Sequence, residues 1–136
     1  MTYELLYQIY LGNVSCKKII CSDINTDLIN FYDLFLRDHD IIFNEYEKLF
    51  NNLMALNSID EKKNFYFNIR NKFNQLNYNN ERTSLFYWLL RTCYNGLVRY
   101  NSKGEFNSSY HLTRNGIKPY ELKKIFDSWI FLINYF

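Results

Sequence analysis

The sequence predicts an α+β fold, in which a mostly helical domain carries a β-hairpin and one or two further strands. Apolar residues recur at helical spacing over most of the chain. Two short apolar runs, over residues 17–22 and from Ile130 onward, are instead typical of buried strands. The segment between Gly96 and Phe106 alternates apolar and polar residues around glycines, which predicts the hairpin. The length of 136 residues suits one domain, spanning residues 1–136.

The first half of the chain carries clear start and stop signals for helices. A helix over residues 2–11 is closed by Gly12-Asn13, and the strand over residues 17–22 follows it. Asn25 or Thr26 then caps a second helix. The Asp38-His39-Asp40 run interrupts its apolar pattern, so a third helix is expected to begin there.

The second half is divided in the same way. Residues 58–61 have the S-x-x-E form of a capping box and open another long helix. A polar loop over residues 77–80 precedes a helix from Glu81 to about Thr92, and Pro119 starts the last helix. Aromatic residues at helical spacing are predicted to form the core rather than a cofactor site: Phe31, Tyr32, Phe35, Phe43, Tyr46, Phe50, Phe65, Tyr66, Phe73 and Trp88.

Composition narrows the functional classes. The formal net charge of +2 is too small to indicate nucleic-acid binding, so any DNA-binding surface must be local. Three cysteines without C-x-x-C spacing predict reduced thiols of an intracellular, cytoplasmic protein. His39 and His111 lie far apart without a ligand cluster, which argues against a metal site. No apolar window reaches 18 residues, which argues against a membrane span.

The run YNGLVRYNSKGEFN, residues 94–107, is unusually rich in asparagine, glycine and tyrosine. One interpretation is a solvated ribbon, in which asparagine and glycine serve only the turn geometry. The other is a surface that binds a partner. Five basic residues fall within 28 positions around it and favour a DNA-facing surface: Arg91, Arg99, Lys103, Arg114 and Lys118.

Two motifs carry a resemblance to a known family. Residues 22–25, with residues 27–29 after them, and the R-x-x-x-N-G-x-x-R-x-N-x-x-G-x-F-N run over residues 91–107 resemble the Dam-type DNA adenine N6-methyltransferases. The resemblance covers roughly residues 10–136, in the order that the family shows. It implies that the hairpin belongs to the target-recognition region and that the strands are remnants of a Rossmann-like methyltransferase sheet.

The resemblance also implies roles for single residues. Tyr94 would stack beside bases as an adenine flips out, and Arg99 would reach a guanine edge in the major groove. Arg91 and Asn95 would bind phosphate or orient the loop. Asp23 would accept hydrogen bonds from the ribose of S-adenosylmethionine, although the residues alone favour a helix cap or a solvated loop. The implied DNA-binding set is Arg91, Tyr94, Asn95, Arg99, Asn101, Lys103, Arg114 and Lys118.

Two parts of the family pattern are missing from these 136 residues. The single proline, Pro119, excludes a Pro-Pro-Tyr catalytic motif, and the four glycines lie at least eight residues apart, which excludes a glycine-rich donor loop. We therefore expect a truncated relative that is not catalytic alone, with S-adenosylmethionine bound only alongside a partner chain. Residues 108–111 replace the family's usual Pro-aromatic-Gly segment, so the resemblance does not define a target such as GATC.

Two hypotheses follow. In the first, the chain is a double-stranded DNA reader that works with a separate catalytic chain. In the second, it is a non-enzymatic protein-interaction or inhibitor protein, such as a viral or mobile-element counter-defence protein, on a degenerate methyltransferase scaffold. Unpaired apolar runs such as Ile19-Ile20 predict a homo- or hetero-oligomer in either case.

Overall fold

The computed structural model describes residues 3–135 and is mostly helical. The helices are α1 (Tyr3–Tyr10), α2 (Thr26–Met54), α3 (Ile59–Gln75), α4 (Asn80–Thr92) and α5 (Pro119–Tyr135), and a short 3-10 turn covers Tyr94–Gly96. No helix in this part of the chain combines the length and apolar character needed to cross a membrane. The predicted helix start at residue 2 lies outside the described residues.

The predicted strands, hairpin and sheet remnant are wrong, because residues 3–135 contain no β-strand. Residues 17–22 are irregular, with the Ile20 side chain exposed, and no neighbouring segment supplies a ladder of hydrogen bonds. The predicted hairpin forms a loop with two isolated antiparallel bridges, Cys93 to Tyr110 and Tyr100 to Phe106. Side chains of α3 bond the backbone at residues 106–108, and a continuous ladder does not form.

The predicted strand from Ile130 is helical for a different reason. Residues 130–133 continue the spacing of Leu122 and Phe126, which are buried on the inner face of α5. An apolar run of four residues fits a strand or a helix equally well, and here the preceding helix decides.

Several predicted caps are confirmed. The Asn25 side chain accepts a hydrogen bond from the Leu28 backbone N–H at 3.2 Å and begins α2. Ser58 and Glu61 form a reciprocal capping box at the start of α3. The predicted interruption at residue 38 is present as a kink in α2, where Asp38 has φ −161° and ψ 82°.

The core is built around α4, which packs against both α2 and α3, while α5 packs against α1 and α2. Every residue of α4 from Arg82 to Leu89 is buried, as expected of a helix enclosed by others. The core prediction is confirmed: Phe35, Tyr46, Tyr66, Phe73 and Trp88 are buried, and Phe31, Phe43, Phe50 and Phe65 pack against them. Tyr32 is partly buried.

Candidate nucleic-acid interface

The residues between α4 and α5, 93–118, form a long loop that α3 holds in place; we call it the 93–118 loop. The Tyr66 hydroxyl donates to the Ser108 carbonyl at 2.9 Å, and Arg70 donates to the same carbonyl at 3.2 Å. The Asn74 amide exchanges two hydrogen bonds with the Phe106 backbone, at 2.9 and 3.0 Å. The loop therefore has a fixed conformation without strands.

The tip of the loop is a turn built by one side chain. The Asn101 carboxamide oxygen accepts hydrogen bonds from the backbone N–H groups of Lys103 and Glu105, at 2.9 and 3.0 Å. Its amide nitrogen donates to the Glu105 carboxylate at 2.7 Å. Gly104 completes the turn at φ +77°. Asn101 thus shapes the tip, which leaves the Lys103 side chain exposed.

The entry to the loop presents an aromatic ring to solvent. Tyr94 is 54% exposed, and its ring stacks on His111 with centroids 5.4 Å apart. The following residue, Asn95, has a left-handed backbone with φ 55°, a conformation that asparagine tolerates better than most residues. Asn95 therefore orients the sharp turn that carries Tyr94.

A shallow depression brings two of the sequence-predicted residues together. Tyr94 and Arg99 line it together with Leu97 and residues 107–109. Ser108 also lines it, and its hydroxyl accepts from the Arg99 backbone N–H at 3.0 Å and donates to the Leu97 carbonyl. Because these bonds fix the backbone of residue 99, the exposed Arg99 side chain projects from a rigid base.

The cations of this loop lack acidic partners. The side chains of Arg99, Lys103, Arg114 and Lys118 make no ion pair within residues 3–135, whereas five lysines and arginines elsewhere do: Arg37 with Asp33, Lys48 with Glu45, Lys72 with Glu81, Arg82 with Asp27 and Lys123 with Asp127. Arg114 lies beside the 3-10 turn, where its Nη1 would be 3.7 Å from a Cβ at Gly96. No hydrogen bond or ion pair within the described residues joins the Lys103 or Lys118 side chain to the depression.

Arg91 stands apart from this group. It lies in the last turn of α4 and lines an apolar cavity with residues of α2 and α5, including Phe31 and Trp129. Burial raises the pKa of Tyr87 to about 12, and the Arg91 charge partly opposes that shift. The Arg91 Nε atom is buried and has no hydrogen-bond partner within residues 3–135.

A buried polar network that the sequence did not reveal anchors the loop to the starts of α2 and α4. Both oxygens of Asp27 accept from the Arg82 guanidinium, at 2.8 and 3.0 Å. The Tyr100 hydroxyl donates to Asp27 at 2.8 Å. Burial raises the pKa of Tyr100, and the Asp27 bond adds to the shift, so the phenol keeps its proton at neutral pH.

One feature of the sequence could have indicated that Arg82 needs a partner. Arg82 lies in the first turn of α4, where a cation opposes the helix dipole and therefore needs a partner. Asp27 gives no such signal, since a carboxylate is favourable by itself in the first turn of α2.

Asp23, the predicted donor-binding residue, does not lie at a strand end. It is exposed, and its Oδ1 accepts a hydrogen bond from the Asn25 backbone N–H at 2.7 Å, in the turn before α2. Asp23 therefore occupies a solvated loop, which is one of the two alternatives that the residues alone allowed. The second carboxylate oxygen makes no hydrogen bond within the described residues.

Comparison with known proteins identifies the family. A family model of D12 class N6 adenine-specific DNA methyltransferases matches residues 9–132. The chain belongs to this family. The resemblance predicted from the two motifs is therefore confirmed.

Several relatives share this part of the sequence. The chain is 39% identical over 115 residues to the type II methyltransferase M.MjaIII of Methanocaldococcus jannaschii, which covers 82% of this chain and 37% of that protein. It is 37% identical over 108 residues to the DNA adenine methylase of Serratia marcescens, covering 79% and 37% respectively. For the DNA N-6-adenine-methyltransferase of Escherichia phage P1 the identity is 33% over 99 residues, covering 72% and 12%.

The chain thus spans little more than a third of the length of its bacterial and archaeal relatives. The matched part contains the acidic turn before α2 and the 93–118 loop.

Proposed function

We propose that this chain is a DNA-recognition region of a D12-class adenine methyltransferase and that residues 1–136 form one domain with this role. The observation that carries the proposal is the depression lined by Tyr94 and Arg99. It lies on a loop that is held rigidly by α3 and flanked by cations without acidic partners. Family membership supports double-stranded DNA as the ligand.

Two side chains carry the proposed reading of bases. Arg99 presents a guanidinium whose fork matches the O6 and N7 acceptors of guanine in the major groove. Tyr94 offers one ring face that His111 does not cover, and it can stack on a base beside a flipped adenine. Both lie on one depression, so they can meet neighbouring base pairs.

Phosphate contacts supply the remaining binding. In this proposal Lys103 at the tip, Arg114 beside the 3-10 turn and Lys118 before α5 bind phosphates of the DNA backbone. Asn95 and Asn101 act by shaping the turns that carry Tyr94 and Lys103. Arg91, in the last turn of α4, contributes positive charge near the start of the loop.

We further propose that the described residues do not form a methyl-donor site by themselves. Asp23 offers one exposed carboxylate, and the glycine-rich loop that would approach S-adenosylmethionine is absent from these 136 residues. The Pro-Pro-Tyr motif is absent as well. We therefore assign methyl transfer to an assembly with the polypeptide that carries those motifs, inside the cell where DNA is available.

Exposed apolar side chains are consistent with such an assembly. Ile20 is 78% exposed and Ile24 is 101% exposed, and Leu36 and Phe131 are also well exposed. Where such side chains form one contiguous apolar patch, the patch marks a surface for another chain. The same surface favours the second candidate function, a non-enzymatic protein-interaction or inhibitor protein.

DNA-binding measurements on the wild type, Arg99→Ala and a control separate these functions. Fluorescence anisotropy would be recorded on a duplex that contains GATC and on others with scrambled sites. We expect Arg99→Ala to lose about 1–3 kcal/mol of discrimination between duplexes. Arg37→Ala, which removes an exposed arginine of α2, should bind like the wild type. Absence of wild-type binding at low salt would exclude the DNA-reading function and favour the protein-interaction function.

A further inference from the structure

We propose that Tyr100 is a positioning residue that couples the 93–118 loop to the turn that contains Asp23. Its hydroxyl lies between two residues at the start of α2, 2.8 Å from the Asp27 carboxylate and 3.4 Å from the Asn25 carboxamide oxygen. The phenol has a single proton to donate, and the hydrogen bond to the Asp27 carboxylate is the stronger of the two because it is shorter and its acceptor is a carboxylate.

Asn25 links this contact to Asp23. Its carboxamide oxygen caps α2 by accepting from the Leu28 N–H at 3.2 Å, and its own backbone N–H donates to Asp23 at 2.7 Å. A continuous series of contacts therefore runs from the loop, through Tyr100 and Asn25, to the Asp23 carboxylate.

The surroundings of Tyr100 leave little room for independent movement. Asp27 is fixed by Arg82, whose Nη1 also donates to the carbonyls of Phe73 and Leu76 at the end of α3. The Tyr100 ring packs edge-on against Phe106, with centroids 5.9 Å apart. A displacement of the loop at residue 100 must therefore move the start of α2 or break these bonds.

The consequence is reciprocal. A ligand that orders the loop also orders the Asp23–Asn25 turn, and a ligand bound by Asp23 also orders the loop. The coupling free energy between the two sites is the same in both directions. The identity of the loop's ligand as DNA rests on the proposed function. The coupling itself does not, since it can be measured in the free protein.

Hydrogen exchange of the full chain tests the coupling without DNA. Tyr100→Phe removes the hydroxyl and keeps the ring, and we expect the exchange of the Leu28 amide to rise about threefold to tenfold. Tyr66→Phe is the matched control, because it removes another buried hydroxyl that anchors the same loop, at Ser108. Tyr66→Phe loosens the loop at Ser108 rather than at residue 100, so it should change the exchange of the Leu28 amide much less than Tyr100→Phe does. An equal change, or none, at Leu28 in both variants would overturn the proposal.

A second variant tests the opposite direction. Asn25→Gly removes the acceptor oxygen with the mildest replacement at an N-cap and leaves the Asp27–Arg82 pair in place. We expect faster exchange at the Asn107 amide, which donates to the Arg99 carbonyl within the loop. Unchanged exchange at Asn107 would count against the coupling even if Tyr100→Phe failed to fold.

Hydrogen exchange measured during a DNA titration separates the coupling from the DNA-recognition proposal. Binding should protect the Leu28 amide in the wild type and in Tyr66→Phe, but not in Tyr100→Phe. Binding without protection of Leu28 in the wild type would overturn the coupling and leave the DNA-recognition proposal standing. Failure of the wild type to bind would refute DNA recognition, and the free-protein arms would then decide the coupling.

Discussion

Asp27 and Arg82 form a doubly hydrogen-bonded ion pair in the interior, with donor–acceptor distances of 2.8 and 3.0 Å. Their side chains are 5% and 11% exposed. The pair joins the start of α2 to the start of α4 across 55 positions of sequence. The Arg82 guanidinium also lies 4.1 Å from the Phe73 ring centroid, so aromatic contact replaces part of its lost hydration.

The first prediction concerns this pair. Asp27→Ala leaves the Arg82 charge buried without its partner, and we expect a loss of about 3–5 kcal/mol in the free energy of unfolding. Urea denaturation followed by circular dichroism measures it. Asp33→Ala is the control, because it breaks an exposed pair with Arg37 on the same helix and should cost at most about 1 kcal/mol. Similar losses for the two variants would contradict the assigned role.

The second prediction concerns the link between α2 and the end of the loop. The Tyr46 hydroxyl accepts from the Ile117 N–H at 2.7 Å and donates to the Ile117 carbonyl at 2.8 Å. Gly116 has φ +90°, and a Cβ there would lie 2.5 Å from that hydroxyl. Gly116→Ala must therefore displace a fully buried tyrosine as well as adopt a strained backbone, which costs about 1–3 kcal/mol by itself.

Gly104→Ala provides the matched comparison in the same urea experiment. Gly104 has φ +77°, and no atom lies within 4 Å of an added Cβ. Its substitution should cost only the backbone strain, about 1–3 kcal/mol. A loss at Gly116 no larger than that at Gly104 would show that Tyr46 does not fix this segment.

The third prediction is a pH dependence at the start of α3. The Glu61 carboxylate accepts from the backbone N–H groups of Ser58 and Asn57, both at 3.0 Å, and these bonds lower its pKa below the usual 4.5. A carboxyl whose pKa is lower in the folded state stabilises the fold above its unfolded pKa. That stabilisation is lost as the pH falls through the folded pKa.

Glu61→Gln isolates this effect, since glutamine can form the capping box but does not titrate. The difference in Tm between the wild type and Glu61→Gln should favour the wild type near neutral pH and shrink as the pH falls through the folded-state pKa of Glu61. A difference that is independent of pH would refute the assignment.

The helices were predictable because their ends are marked locally. Asn25, Ser58 and Pro119 each start a helix by chemistry that involves residues within one turn. The kink at Asp38 was predictable for the same reason. The two motifs also sufficed to predict the family.

The strands and the buried network depend on distant residues, so the sequence could not define them. Whether residues 17–22 form a strand depends on a partner strand, and no such partner lies within the described residues. The 93–118 loop takes its conformation from Tyr66 and Asn74 of α3, whose hydrogen bonds to the loop span at least 32 positions. The role of Tyr100 likewise requires Asp27, which lies 73 positions away.

The fourth prediction concerns base stacking by Tyr94. If its exposed ring stacks on a base, Tyr94→Ala should weaken duplex binding by about 1–3 kcal/mol in fluorescence anisotropy. Tyr120→Ala is a control of similar exposure, at 58% against 54%, on α5. It should bind as the wild type does. Equal weakening in both variants would indicate a general loss of aromatic surface rather than stacking at the loop.

The central claim is that the unpaired cations of the 93–118 loop bind DNA phosphates, and the salt dependence of binding tests it most directly. The logarithm of the duplex affinity would be measured against the logarithm of the salt concentration for the wild type, Lys103→Ala, Lys118→Ala and Lys63→Ala. We expect a steep linear decrease for the wild type, with the slope reduced by about 1 in each loop variant. Lys63, an exposed lysine of α3, should leave the slope unchanged. Equal slopes in all four proteins, or no binding at low salt, would contradict the claim.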